Sequence, residues 1–528
     1  MNIDSLTIKR KSVLKKGTVL FYPCLFLFCL GFMELFSFTT SHLNPYLYGY
    51  DSAYFQTEGY LWACGVLPYS GFFDHKGPLL FLINMLPALT PFPRTALVLF
   101  QALSMAIGLA LVIKLLKKYC NTPVIVFTLI ALLSYWSYML NGGNLTEEYS
   151  VTLTLIPMYF EIPWILANFD KKNDANIEHP LHYAFLDGIS FGLISMLLIK
   201  NSIFLCTTVF CISVKLLLQR KFINLFYNLA AGVAGTAIAI LPFFFYFMAK
   251  GNLNAMIYSI FFFNFSYLKE TGGGLSFPLK LLTFLIPEFA LILSGIAATL
   301  KKRYFLFSFS LLSVSAASFQ FIKSAQFKHY FMLGAPLIPI SVIILEYLKN
   351  RSLLGSTADS GSHRSEIAWK FLYGFLYLLL LLCPLVAVLY TPRQLSSYSP
   401  EAIDECRKHY GLLSSIVEDV PHDELNDIFV YNLSGPQGIY FIANEATPSW
   451  PHPLLTEFHT SFDSSISCDA VEYVKKAAPK RILSGGEINS EEFLELLEKN
   501  YHKAKEVETA IDIPMVIDIV PLTLWERN

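Results

Sequence analysis

Apolar runs recur along this chain at residues 18–40, 95–116, 122–140, 147–166, 184–199, 201–219, 223–249, 277–299, 304–322, 330–348 and 370–391. A bilayer core about 30 Å thick is crossed by a helix of roughly 20 such residues. A chain in lipid must satisfy its own backbone hydrogen bonds, which leaves helices as the spanning form for runs of this length. The expected fold is therefore an all-α polytopic bundle of about 11 transmembrane helices. Composition agrees: 54% of the 528 residues are hydrophobic and 15% are charged, against about 25% charged in a soluble domain. The first run follows a basic start (Lys9, Arg10, Lys11, Lys15, Lys16) and lacks a small-residue cleavage site. It is too long for a signal-peptide core and reads as a retained span.

Cations set the orientation. With the N-terminus inside, Lys114, Lys117 and Lys118, then Lys171 and Lys172, Lys215, Arg220 and Lys221, Lys301, Lys302 and Arg303, and Lys349, Arg351 and Arg364 all fall in cytoplasmic turns. The opposite side carries only isolated cations such as Lys76, Lys200, Lys269 and Lys328. Residues 77–91 are apolar but short and broken by proline. A crossing there would flip every later basic turn outward, so they are placed in the outer interface, and residues 41–94 form one long outer loop. Residues 1–391 make the membrane module. The tail, 392–528, alternates helix-like stretches (Pro400–Val417, Asp469–Ala477, Ser490–Lys499) with strand-like ones (Asp427–Tyr431, Arg481–Ser484, Ile511–Leu524). That pattern predicts a small α/β domain outside the membrane, where Cys406 and Cys468 are placed to pair. The net charge of −1 gives no sign of a nucleic-acid partner. The expected setting is a multi-pass membrane protein with its N-terminus in the cytoplasm and its tail outside.

The outer loop holds the unusual chemistry. Asp51, Glu58, Asp74, His75 and Lys76 lie among Tyr, Phe and Trp, a mixture suited to a site at headgroup level. Asp51 reads either as a general base for a hydroxyl or as the N-cap of the helix that follows it. Glu58, two turns on, shares its helical face and is an acceptor-site candidate or a solvated residue. Lys76, with His75, reads as a phosphate grip or a polar turn. In the next outer loop Glu147 and Glu148 read as acceptor or divalent-cation ligands, or as acids complementing a helix N-terminus capped by Thr146. Lys200 interrupts an apolar stretch, and Lys328 and His329 open a late span after Gln326. Each is ordinary snorkelling alone, but together they would ring one outer level with positive charge, as a phosphate leaving group requires. Asn254–Tyr267 reads as an aromatic lid or as packing, followed by a hinge at Gly272–Gly274. Glu34, Glu161 and Glu288 are few for a proton-coupled transporter.

An Asp just past the first span, Gly65-Val-Leu-Pro-Tyr69, Asp74-His-Lys-Gly-Pro-Leu79, Thr146-Glu147 and His329-Tyr330 together resemble the GT-C glycosyltransferases, in the branch of protein mannosyltransferases and aminoarabinose transferases. The resemblance implies a polyprenyl-phosphate sugar donor used on the outer face with inversion. It implies Asp51 as base, Lys76 on the donor phosphate and Glu147 near the acceptor or a metal. Metal use differs among members, so a divalent cation, Mg or Mn, is left open. Asp51 is followed by Ser52 where protein mannosyltransferases tend to have Asp-Glu, which favours a glycan, lipid or wall-polymer acceptor over a protein. The rival reading is a transporter or flippase of lipid-linked glycans, and a third is a glycan polymerase or ligase with a longer donor.

Overall fold

The computed structural model describes residues 14–46, 50–169, 177–264, 285–323, 327–354, 363–431, 470–485, 488, 490–512 and 516–528. The readings placed on Lys171, Lys172, Lys269, Gly272–Gly274, Gln326 and Cys468 lie outside these residues.

The chain opens with α1 (Leu14–Phe36), followed by α2 (Tyr50–Ala63), α3 (Pro78–Ala88), α4 (Pro93–Tyr119), α5 (Thr122–Met139) and α6 (Thr146–Asn168). Next come α7 (Leu181–Leu198), α8 (Ile203–Leu218), α9 (Phe222–Ala249), α10 (Leu253–Ile257), α11 (Ile286–Leu300) and α12 (Tyr304–Lys323). Then follow α13 (Leu337–Leu354), α14 (His363–Leu380), α15 (Leu382–Leu395) and α16 (Pro400–Ser415). Every apolar run of the sequence coincides with one or two of these helices over its described residues. Among the described residues, seven helical stretches are long and apolar enough to cross a membrane by length and composition. Helix α1 ends at Phe36, earlier than the apolar run. Beyond it Ser37 and Thr40 bond each other, and the Thr40 hydroxyl donates to the Ser37 carbonyl, the local competition that unwinds helix ends. Residues 77–91 hold only the 11-residue α3, too short to span.

The basic turns share one end of the bundle. Lys117 lies 5.4 Å from the Phe21 ring and Lys118 4.1 Å from the Tyr159 ring. Asn350 donates to the Tyr119 carbonyl, and Lys301 sits over Trp369. Lys215 is not a loop cation as expected: it is buried on α8, and its ammonium donates at 2.8 Å to the Phe169 carbonyl at the C-terminal end of α6. A cation there complements the negative end of the helix dipole.

At the other end, a turn of four left-handed residues, Asn141, Gly142, Gly143 and Asn144, leads into α6. Asn and Gly are the residues that adopt positive φ with least strain. The turn presses on the end of α1: Thr39 and Ser37 hydroxyls both donate to the Gly142 carbonyl. A side chain at Gly143 would overlap Ser37. Asn144 then ties three helices together. Its amide donates to Ser52 on α2 at 3.2 Å and to Asn84 on α3 at 2.9 Å, and its oxygen accepts from Tyr149 on α6 at 3.0 Å.

The tail forms a four-stranded sheet from β1 (Ile428–Tyr431), β2 (Arg481–Gly485), β3 (Tyr501–Asp512) and β4 (Val516–Arg527), in the order β1-β2-β4-β3. Helices α17 (Ala470–Ala477) and α18 (Glu491–Asn500) pack beside it. The β1–β2 pair is parallel and the rest antiparallel. Strand β3 was not expected from the sequence. It is an edge strand carrying His502, Lys503, Lys505, Glu506 and Glu508, and charge on an edge deters further pairing while hiding the apolar alternation of a strand. The tail lies on the same side as the long loop. Ile416, Val430, Leu483 and Leu524 share one apolar core with Phe55, Leu61, Tyr69 and Phe81, and Asn44 donates to the Ser397 carbonyl.

Replacing Asn144 by Ala leaves Ser52, Asn84 and Tyr149 without a shared partner, each unmet group costing about 1–3 kcal/mol. The Asn144→Ala protein should show a clearly lower thermal transition in detergent, whereas Asn141→Gly, which keeps the left-handed backbone and lies outside that junction, should melt close to wild type.

Candidate functional site

Helix α2 starts at Tyr50, so Asp51 lies in its first turn rather than before it as a cap. The Asp51 side chain is 41% exposed, and its carboxylate sits 3.9 Å from Nε2 of His329. His329 belongs to a 3-10 segment, Lys328–Gly334, that precedes α13. It is fixed there by the Tyr135 hydroxyl, which donates to the Phe331 carbonyl.

Lys76 is brought in by a rigid turn. The Asp74 carboxylate accepts the Lys76 backbone N–H at 2.9 Å, and the Tyr69 hydroxyl donates to the Lys76 carbonyl at 3.0 Å. The Lys76 ammonium donates to Nε2 of His75 at 2.9 Å, which places the ring proton on Nδ1, 3.3 Å from Asp74. Gly77 then docks on the end of α7: its N–H donates to the Leu197 carbonyl, and a Cβ there would overlap the Met196 carbonyl. Only glycine permits that approach, and the approach places Lys76 beside the 3-10 turn Ile199–Ser202 that carries Lys200. Asn201 donates to Ser150, and Ser150 to the Thr146 carbonyl, so the same turn is latched to the first turn of α6, where Glu147 lies.

These contacts draw five segments to one place. The charges of Glu147, Lys76 and Asp51 all act on Lys200, and those of Glu147, Asp51, Lys200 and Lys76 all act on His329. Lys200 rests its ammonium 3.3 Å from the centre of the Tyr330 ring. Glu147 accepts from Thr146 through one oxygen, and its other oxygen is buried without a partner among the described residues.

Other sequence candidates sit elsewhere. Glu148 accepts from Gln101 and from the Asn144 backbone N–H, within the junction that holds the helix ends. Lys328 places its ammonium 4.0 Å from the Tyr138 ring centre. Glu58 is fully buried and meets the Asp74 carboxyl rather than Asp51. His75 braces Lys76, and its carbonyl accepts from Asn264 at the end of the expected lid, where Phe263 packs on Phe73 and His75. Glu34 pairs with His42, and Glu161 with His179. Among the described residues no three His, Cys, Asp or Glu side chains gather as ligands for a metal ion.

Sequence reading missed Asn144, Gln101 and Tyr69. The run Asn141-Gly-Gly-Asn144 was the available signal for the first. Nothing local marks Gln101, inside an apolar helix; Tyr69 stands out only as the end of the Gly65–Tyr69 motif, which tells neither its φ of 70° nor its bond to the Lys76 carbonyl.

Burial is the first cause that raises the Glu58 carboxyl well above its ordinary value of 4.5, the neighbouring Asp74 the second, while Lys76 opposes them. A folded-state pKa above the unfolded one means the folded protein holds the extra proton, so stability falls as pH climbs above about 4.5. Glu58→Gln removes that penalty. The melting temperature of Glu58→Gln relative to wild type should therefore rise between pH 5 and pH 8. Parallel wild-type and mutant curves would show that Glu58 ionises freely.

No protein-family model and no curated protein sequence matches this chain. Its structure is similar to that of ArnT from Cupriavidus metallidurans bound to undecaprenyl phosphate, with a TM-score of 0.54 and 14% identity over 96% of this chain and 98% of that one. A second similar structure is the Archaeoglobus fulgidus oligosaccharyltransferase tethered to an acceptor peptide, with a TM-score of 0.47 and 14% identity over 90% of this chain and 72% of that one. The likeness to ArnT takes in nearly the whole of both chains, and the two share a fold.

Proposed function

We propose that this protein is an integral-membrane glycosyltransferase that moves a sugar from a polyprenyl-phosphate donor to a hydroxyl of a glycan, lipid or wall polymer on the outer face of a bacterial plasma membrane. The observation that carries this reading is the meeting of Asp51, Lys76, Glu147, Lys200 and His329 from five separate segments. One carboxylate of the group is open to solvent and the cations stand around it. The whole lies at the end of the bundle away from the basic turns, which places it outside if those turns face the cytoplasm. The fold shared with ArnT, solved with undecaprenyl phosphate, supports the donor class.

The chemistry follows from the positions. The acceptor oxygen attacks the anomeric carbon from the face opposite the phosphate. Asp51 takes the hydroxyl proton as the new C–O bond forms. The bond from the anomeric carbon to the phosphate oxygen breaks, and its electron pair leaves on the phosphate, so configuration inverts. Lys76 and Lys200 stabilise the charge that grows on that oxygen, in a half-buried setting where such interactions are stronger than in water. His329 stands between the base and the cations, and Glu147 is the second acid, on the acceptor side. A flippase would need the same cations but no proton acceptor.

The test is transfer of label from a radiolabelled polyprenyl-phosphate sugar pool to crude envelope acceptor in liposomes. Asp51→Asn should lower the rate at least about 100-fold, the usual contribution of a general base, with an unchanged melting temperature. Lys76→Ala should lose about 100-fold in kcat/KM, as for other groups that stabilise a leaving charge. Wild-type turnover by Asp51→Asn removes the base assignment. Donor movement across the bilayer without transfer, equal in both proteins, replaces the enzyme by a flippase.

A further inference from the structure

Helices α7 and α8 diverge from their 3-10 turn, and α9 closes the opening, leaving a cavity of about 370 Å³ between the three. The cavity belongs to the opposite end of the bundle from Asp51. His179 is fixed at its mouth by Asn224, which accepts the His179 backbone N–H at 2.9 Å in the first turn of α9, just past the basic pair Arg220 and Lys221. Leu205, Val209, Phe210 and Val233 give it apolar walls, and Phe210 and Val233 are themselves largely exposed on the outer surface of the bundle. The space therefore opens sideways toward the acyl region of a surrounding bilayer.

Its end near the basic pair is polar and incompletely satisfied. Both ring nitrogens of His179 face acceptors. Nε2 lies 3.0 and 2.9 Å from the two Glu161 oxygens, and Nδ1 lies 2.6 Å from the Asn228 side-chain oxygen. The Asn228 amide nitrogen is committed to the His179 and Asn224 carbonyls, which fixes its oxygen toward the ring. Asp187, 5% exposed, lines the cavity and meets Glu161 through a carboxyl–carboxyl hydrogen bond, yet its Oδ1 is buried with no partner among the described residues. An unmet acceptor thus belongs to a residue of the cavity wall. An unmet buried acceptor costs about 1–3 kcal/mol, which a donor-bearing ligand recovers.

We infer that this cavity is a lipid site for the leaflet at the basic end, and that it takes a phospholipid with a primary ammonium head. The ammonium donates to the unmet Asp187 oxygen. Seven residues along α9 separate Asn228 from Lys221, about 10 Å of helix rise, so the lipid phosphate reaches the basic turn at Arg220 and Lys221. One acyl chain lies along Val209 and Phe210. Recognition by this end of the bundle is independent of the transfer chemistry at Asp51.

The full-length protein in nanodiscs of equal parts phosphatidylethanolamine, phosphatidylcholine and phosphatidylglycerol, released into detergent and weighed by native mass spectrometry, tests the site. Phosphatidylcholine has the same charge but no N–H donor. Wild type should retain phosphatidylethanolamine about ten-fold over phosphatidylcholine, the size expected of one charged hydrogen bond. Asp187→Leu, which removes the acceptor, and Val209→Trp, which fills the slot, should each abolish the preference. Val209→Trp leaves the polar groups in place and serves as the readout if Asp187→Leu does not fold. Equal retention of the two zwitterionic lipids, selective retention of phosphatidylglycerol, or a preference that survives both substitutions would overturn the inference.

Discussion

Everything at the reactive end of this protein hangs on one buried polar junction. Asn144 holds α2 through Ser52, α3 through Asn84 and α6 through Tyr149. Glu148 and Gln101 extend the junction to Ser37 and Thr40 at the end of α1. Hydrogen bonds in so dry a setting are strong, and each lost partner is expensive. Asp51 is the residue before Ser52, and Glu147 the residue before Glu148. The two acids of the site therefore inherit their separation from the junction. Apolar packing alone, which tolerates sliding of helices by fractions of a turn, would not fix it. Four left-handed residues in a row make the junction possible, because they turn the chain sharply enough for the Asn144 side chain and the Gly142 carbonyl to face different helices.

The membrane helices were legible because length and apolarity in a run are local properties, and the basic turns marked one end. Asp51, Lys76, Glu147, Lys200 and His329 were legible as charged residues that interrupt apolar sequence on a single side. Side-chain direction was not. Glu147 and Glu148 are neighbours with different surroundings, since successive helical residues diverge by about 100°, and no alternation in the sequence says which turns toward the junction. Glu58 shares a helical face with Asp51 by spacing, but α3 covers that face farther along, with Gly59 pressed on Asn84, so the two acids end in different surroundings. Lys328 and His329 separate for the same reason within a 3-10 segment. In the tail, the edge strand β3 escaped notice because its charges serve the strand's isolation and mask its periodicity.

The site divides its charges by depth. Asp51 keeps contact with water. Glu58 and Asp74, behind it, are enclosed, and their mutual repulsion is relieved by protonation and by Lys76. The Asp74–His75–Lys76 turn is held from beneath by carboxyl groups and from the side by Gly77 on α7. Such bracing matters because a lysine stem is otherwise free to wander and loses entropy when it is held. Aromatic rings do similar work for Lys200 at Tyr330 and, in another direction, for Lys328 at Tyr138.

The core shared by the long loop and the tail has a consequence for biosynthesis. Phe55, Leu61, Tyr69 and Phe81 are made early, but the residues that bury them, from Ile416 to Leu524, follow more than 300 positions later in the chain. Domains made first ordinarily fold first. Here the apolar face of the loop bearing Asp51 and Lys76 stays uncovered until the tail is made and packs over it. The tail is thus a late-arriving intramolecular chaperone for that end of the bundle.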